Sequence, residues 1–400
     1  MGARNNFIRF LISLLLLPFA SNLPAQDLRD PRFMEKVQAG FSDMFNQDYD
    51  RALQSFVALG KEYPHHPAPP LYVACVYWLE EMLRRQDLAL NRFIAPTYFS
   101  GKTDLVMPPS ERTEFFSNLQ KSQDLANAIL QRKRSDFDAR YFLATCHGLR
   151  SSFAITIDHS LREAFTYANK AYSSTNKLIE EKPDYHDAYM TAGIYEYIVG
   201  SIPWYLKWMV FVIGVRGNKQ DGLEHLRLAS EKGQYVKNEA RLVLMVLYVR
   251  ERRYAEALEI ARSLNERYPR SFLFPLNVAQ ILQMSGQKQQ ASSIFLQVEK
   301  RVEAREPNFD KIPLHVYRFN LGIDLMSMGQ LDAAEDRFRK TISDPNTQQR
   351  EKALSHLRLG QILDWKHKPN EAAIEYKTVL SLKNFNNSHD QAKSLLKKHK

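Results

Sequence analysis

The sequence predicts an all-α chain, an α-solenoid of stacked antiparallel helix pairs. Three observations carry this. First, the stretch 241–269, RLVLMVLYVRERRYAEALEIARSLNERYP, reads as two short helices joined by a tight turn. Leu244, Tyr248, Ala257, Ala261 and Leu264 are spaced so that apolar groups lie between the two helices, and Pro269 stops the second. Second, the same spacing recurs along most of the chain. Third, one such pair cannot bury its apolar face alone, so neighbours must stack on it.

Four hundred residues with 44% apolar and 25% charged content suit a large folded array. The formal charge is +10. Acids and bases are interleaved as on solvated helix faces, and no basic-aromatic nucleic-acid motif is present, so a nucleic-acid partner is not expected.

Residues 1–25 read as a signal peptide. Arg4 and Arg9 form the positive region, an apolar run follows over 10–20, and Ala25-Gln26 offers a cleavage point. Leu23 at the minus-three position leaves an uncleaved anchor open, whereas the lack of a cysteine after the run speaks against a lipoprotein anchor. The expectation is an exported chain, periplasmic or envelope-associated in a double-membraned bacterium.

From there the chain divides into irregular repeats over 26–234, regular repeats over 235–385 and a basic capping helix or tail over 386–400. Gly40, Tyr49, Ala52, Phe56 and Pro64 fit a first pair. Residues 70–84 form the first helix of the next, a long connection spans 87–110, and 111–134 is a long second helix. Long connections inside compact arrays are often functional, and a lid-like excursion is the other reading. Residues 137–153 and 159–181 make the third pair. The fourth uses 187–199 and 220–232. Its crossing positions, Gly193 and Gly222, are 29 apart, against 12 for Met245 and Ala257 in the 241–269 pair, so about 17 residues are inserted. Ala279, Leu282, Gly286, Ala291 and Phe295 continue the pattern, as do Gly322, Leu325, Gly329, Ala334 and Phe338, and then Gly360, Leu363, Ala372, Tyr376 and Val379. Residues 383–400 read as a lysine-bearing terminal helix.

The insertion, 201–217, is SIPWYLKWMVFVIGVRG. It is apolar nearly all round and, at ~1.5 Å per residue, too short to span a bilayer. It is either a plug inside a superhelical turn or an exposed anchor presenting Trp204, Tyr205, Trp208 and Phe211 to a partner or membrane interface.

A small residue at the helix crossing, a turn, then an alanine and an aromatic four apart, then proline, resembles the tetratricopeptide repeat (TPR) family across most of 33–385. The resemblance implies a right-handed superhelix. The stretch 193–226 is also similar to a segment of a divergent eukaryotic tetratricopeptide family, one fungal member of which is linked to clearance of protein inclusions. Ser201, Pro203, Gly214, Gly217 and Gly222-Leu223 match that order. In such arrays the first helix of each pair lines a groove. By resemblance the groove positions include Leu242, Val246, Gln280, Gln283, Phe319, Ile323 and Gln361. These give an apolar surface with amide handles, suited to a peptide. The alternative is that they pack against the next superhelical turn. The Lys, Arg and Asn with which some members of the family clamp a C-terminal carboxylate are absent from these positions.

No catalytic or cofactor motif is found: no HExxH, phosphate loop, GxSxG or paired CxxC. His65-His66 reads as an exposed connector, the other histidines are scattered, and Cys75 and Cys146 read as two separate thiols, with a bridge as the alternative. The expected function is therefore a non-catalytic scaffold for a protein or peptide partner. A peripheral membrane protein docking through 201–217 is the alternative. An enzyme with a site in the irregular half ranks third, and no metal or cofactor is called. Oligomeric state is not legible.

Overall fold

The computed structural model describes residues 30–85, 87–88, 90, 105–202, 217–312 and 314–399. Residues 1–25, read from the sequence as a signal peptide, most of the 87–110 connection and 203–216 of the insertion, with Trp204, Tyr205, Trp208 and Phe211, lie outside them.

The described residues contain helices and no strand. The helices form eight successive pairs and a final single helix. The pairs are α1 (Pro31–Phe45) with α2 (Tyr49–Glu62), α3 (Ala68–Arg84) with α4 (Pro109–Arg132), and α5 (Phe137–Thr156) with α6 (Leu161–Glu181). Next come α7 (Ala188–Gly200) with α8 (Lys219–Lys232), α9 (Lys237–Arg250) with α10 (Tyr254–Arg267), and α11 (Leu273–Met284) with α12 (Lys288–Glu303). The last are α13 (Leu314–Ser327) with α14 (Leu331–Ser343) and α15 (Gln349–Trp365) with α16 (Pro369–Ser381), followed by α17 (Ser388–Leu396). Each helix packs on its sequence neighbours, so the chain is a TPR-like α-solenoid.

The first and the last four pairs are built on one rule. Sixteen residues after each crossing residue stands the side chain that fills the gap: Phe56 after Gly40, Phe338 after Gly322 and Tyr376 after Gly360. A Cβ added at Gly360 would lie 2.5 Å from the Tyr376 ring, so the glycine exists to admit the aromatic. Where the crossing residue is larger, the partner shrinks: Met245 has Ala261 at the same step, both fully buried. Seven residues after the crossing, the turn passes through the left-handed region at Gln47, Arg252, Gly286, Gly329 and His367, with φ between 57° and 81°. Glycine occupies only two of these turns, so the other three carry a local cost of about 1 kcal/mol that the packed helices outweigh.

The solenoid coils back on itself. The α1–α2 turn, Asn46-Gln47-Asp48, docks on the α10–α11 and α12–α13 connections more than two hundred residues later. Arg270 donates through Nε to Asp48 Oδ2 (2.8 Å), and its backbone N–H donates to Asn46 Oδ1 (2.9 Å). Gln47 Oε1 accepts from the N–H of Phe272 (2.9 Å). Asn308 Nδ2 donates to Asn46 O (2.8 Å) and Asp48 Oδ1 (2.7 Å). Lys311 Nζ reaches Gln47 O (3.1 Å), and the Phe45 and Tyr268 rings pack at 5.0 Å. Burial raises the Asp48 carboxyl, but hydrogen bonds from Asn308 and Arg270 outweigh it and hold the group below its ordinary range.

Three expectations are corrected. The terminal helix begins at Ser388, not 383, because Asn386 and Asn387 adopt φ of 49° and 56° and break the run. His159 lies outside α6: its φ is 50°, and Ser160 caps the helix, accepting from the Glu163 N–H. His65 is exposed, but His66 is fully buried, stacked on Phe33 at 3.9 Å, and its Nδ1 accepts from the Ala68 N–H. The proline-rich turn is thus a packed corner. Cys75 and Cys146 are both free thiols, and burial pushes each up to about 12.

Candidate partner-binding site

The closure of the coil creates a cleft with a volume of about 640 Å³, within the range of ligand and peptide pockets. One wall comes from the N-terminal end: Tyr49 and Asp50 at the start of α2, Glu80, Leu83 and Arg84 at the end of α3, and Leu88 beyond it. The facing wall comes from the later pairs: Leu273, Leu276 and Gln280 on α11, Lys311 before α13, His315 and Asn320 on α13, and Asp344 and Asn346 after α14. The same turn that latches on Arg270 and Asn308 therefore sets the distance between the walls.

The polar groups of the cleft differ in how far they are satisfied. Arg84 is held by Glu81 and Glu111. Glu81 is fully buried and also binds Arg85 Nε at 2.5 Å, so this cluster fixes the end of α3. Burial raises the Glu80 carboxyl, and the neighbouring carboxylates Glu111 and Asp50 add to this against the opposing pull of Arg84 and Lys311. Burial lowers His315, keeping it neutral at pH 7. Three of the lining side chains, Gln280, His315 and Tyr317, are at least nine-tenths buried and have an atom without a partner, Oε1, Nε2 and Oη respectively.

The structure distributes the sequence-derived groove positions unevenly. Gln280 lines the cleft. Gln283 is committed, its Nε2 donating to Asp324 Oδ1 at 2.8 Å, while burial pushes that carboxyl up to about 6. Phe319 is buried against Phe338 of its own pair. Leu242, Val246 and Ile323 are half-buried in the core between neighbouring pairs, and Gln361 accepts from Arg358 at 2.9 Å. So most of these positions are packed or committed, and the cleft lies where the first two pairs face the sixth and seventh. Sequence reading missed Glu80, Lys311, His315 and Asn320. No local signal marks them, since their juxtaposition depends on the closure.

A second feature is the neck of the insertion. Gly193 and Gly222 bring α7 and α8 into backbone contact: a Cβ on Gly222 would lie 2.6 Å from Tyr197 N and 2.7 Å from Gly193 O. Gly200 abuts Asn218 and Lys219, and Gly217 abuts Glu196 and Val199. The chain thus leaves at 202 and returns at 217 through one point. Tyr197 Oη donates to Glu251 Oε1 at 2.7 Å and Lys219 Nζ reaches the same oxygen at 2.7 Å, tying the neck to the next pair. Ile198 beside it is half exposed. Among the described residues no helix is long and apolar enough to cross a membrane, and no three of His, Cys, Asp and Glu gather as a metal site.

The chain is similar over 94% of its length, and 87% of the other's, to human IFIT1 in a dimer with m7Gppp-AAAA, at 14% identity and a TM-score of 0.43. It is similar to yeast Tom70 (12% identity, 99% of this chain and 93% of that one, TM-score 0.37). It is also similar to a tetratricopeptide repeat protein from Parabacteroides merdae (14%, 92% and 98%, 0.29). No curated relative matches. The model of the family Iml2/Tetratricopeptide repeat protein 39 matches residues 116–347, from α4 to just beyond α14 and across the insertion. With more than half of its length in that match, the chain belongs to the Iml2/Tetratricopeptide repeat protein 39 family.

Proposed function

We propose that this chain is a non-catalytic protein-interaction scaffold that takes a peptide segment of its partner in the cleft between the first two helix pairs and the sixth and seventh. The observation that carries the reading is the cleft itself. It is a preformed cavity of about 640 Å³ with leucines on both walls and buried, unpartnered polar atoms on Gln280 and His315. Apolar walls with a few fixed polar groups are what a short peptide requires. The α-solenoid supplies a rigid frame for such a groove. The signal-like sequence at 1–25 supports a site of action in the bacterial envelope, in the periplasm.

The test is site-specific photocrosslinking in cells. A photoreactive residue at Asn320 in the cleft is compared with one at Trp208 in the insertion and one at Lys177 on the exposed face of α6. Crosslinked protein from Asn320 and none from Lys177 supports the cleft. Crosslinks from Trp208 alone move the site to the insertion.

The apolar composition of 204–213 and the exposed Ile198 at the neck favour one second reading, peripheral membrane docking through the insertion. Flotation of the chain with anionic liposomes, lost on Trp204→Ala with Trp208→Ala, would establish it. Absence of flotation would remove it.

A further inference from the structure

We infer that the cleft recognises a cationic side chain, the guanidinium or ammonium group of an arginine or lysine in the partner peptide. The inference rests on the reading of the cleft as a peptide groove and adds the chemistry of its occupant.

The argument begins with which charges in the cleft are already compensated. Its cations are occupied. Arg84 is held between Glu81 and Glu111, and Lys311 donates to Gln47 O (3.1 Å) and to Asn308 Oδ1 (2.9 Å) as part of the latch. His315 is neutral because it is buried. Among the carboxylates, Asp344 accepts from the Asn346 N–H at 3.0 Å and faces Arg318 at 3.8 Å. Glu80, Asp50 and Asp310 make no hydrogen bond or ion pair among the described residues. The uncompensated charge is negative, in a chain whose net charge is +10.

The second observation is independent of charge. The Gln280 carbonyl oxygen, on a side chain 6% exposed, is buried with no donor, and burial without a donor costs on the order of 1–3 kcal/mol. A residue that supplies several N–H donors would satisfy it. Arginine offers five and lysine three, and neither offers an acceptor. The aliphatic stem of either fits along Leu273 and Leu276. The Glu80 carboxyl is raised chiefly by burial, with Glu111 and Asp50 adding to it against the opposing pull of Arg84 and Lys311, neither of which forms an ion pair with it. A phosphate or a carboxylate would meet the opposite arrangement, with no free cation to receive it.

The full chain, immobilised, is panned against a random dodecapeptide library, and the tightest peptide is then measured by fluorescence anisotropy at low and moderate salt. Selected peptides should be enriched in Arg or Lys at one position. Replacing that residue by norleucine should weaken binding at least tenfold, and so should Glu80→Gln. Asp310→Asn gives a smaller loss and serves as the second variant should Glu80→Gln lower helicity. Peptides that compete with the Asn320 photocrosslink but show no Arg or Lys preference, prefer acidic residues, or bind Glu80→Gln unchanged would overturn the inference and leave the groove reading standing. Recovery of no peptide, or of peptides that crosslink only outside the cleft, would overturn the groove reading and the inference with it.

Discussion

The fourth helix pair and its regular counterparts solve the same packing problem in two ways. In the first, seventh and eighth pairs a crossing glycine receives an aromatic ring from the second helix: Gly40 with Phe56, Gly322 with Phe338, Gly360 with Tyr376. The turn then closes through a left-handed residue seven positions on. In the fourth pair Gly193 meets backbone and Leu226 instead, and Leu226 stands where the aromatic would be once the seventeen inserted residues are discounted. The turn position, Gly200, stays helical, and the chain departs into the insertion. The crossing is therefore kept while the turn is exchanged for an excursion. A solenoid tolerates this because each pair needs only its neighbours' faces, not a particular turn.

This contrast can be broken at the glycines. Gly222→Ala should be the most damaging change, since the new methyl would press on the Tyr197 and Gly193 backbone, which cannot yield without separating α7 from α8. A loss of about 3 kcal/mol or more in urea unfolding is expected. Gly360→Ala presses on a side-chain ring, Tyr376, which is buried and held by Asp364 at 2.6 Å, so about 2 kcal/mol is expected. Equal costs at the two sites would show that the fourth crossing is not backbone-limited. The smallest effect should follow replacement of 203–216 by a Gly-Ser-Gly linker. The ends already meet, so thermal stability should change by less than about 1 kcal/mol while any contact made by Trp204 or Trp208 is lost. A large loss of helicity would instead assign the segment a packing role.

Much of the repeat architecture was legible in the sequence. The spacings that join Gly322 to Phe338 and Gly360 to Tyr376 are local, and the length of the insertion follows from counting between Gly193 and Gly222. The closure was not legible. Asn46-Gln47-Asp48 looks like any polar turn and Arg270 like any residue after a helix-ending proline, and only the accumulated rotation of the intervening pairs brings them together. The cleft inherits that opacity, because Glu80 and Asn320 belong to pairs far apart in the chain. Gln283 is a groove position by register alone, and its amide is committed to Asp324, a neighbour that the repeat pattern leaves unspecified.

The closed coil is tested most directly by a double-mutant cycle on Asp48→Ala and Arg270→Ala, measured by urea unfolding at pH 7 and again at low pH. The contact is partly exposed, so its coupling energy should be about 1–2 kcal/mol at pH 7. The folded Asp48 carboxyl titrates below its unfolded value. The stabilisation is therefore complete above the ordinary aspartate range near pH 4 and should vanish as pH falls through the lower folded value. A coupling that meets both conditions supports the latch. A coupling indistinguishable from zero at pH 7 would mean that the first helix pair does not dock on the later repeats, and the cleft would not exist as described.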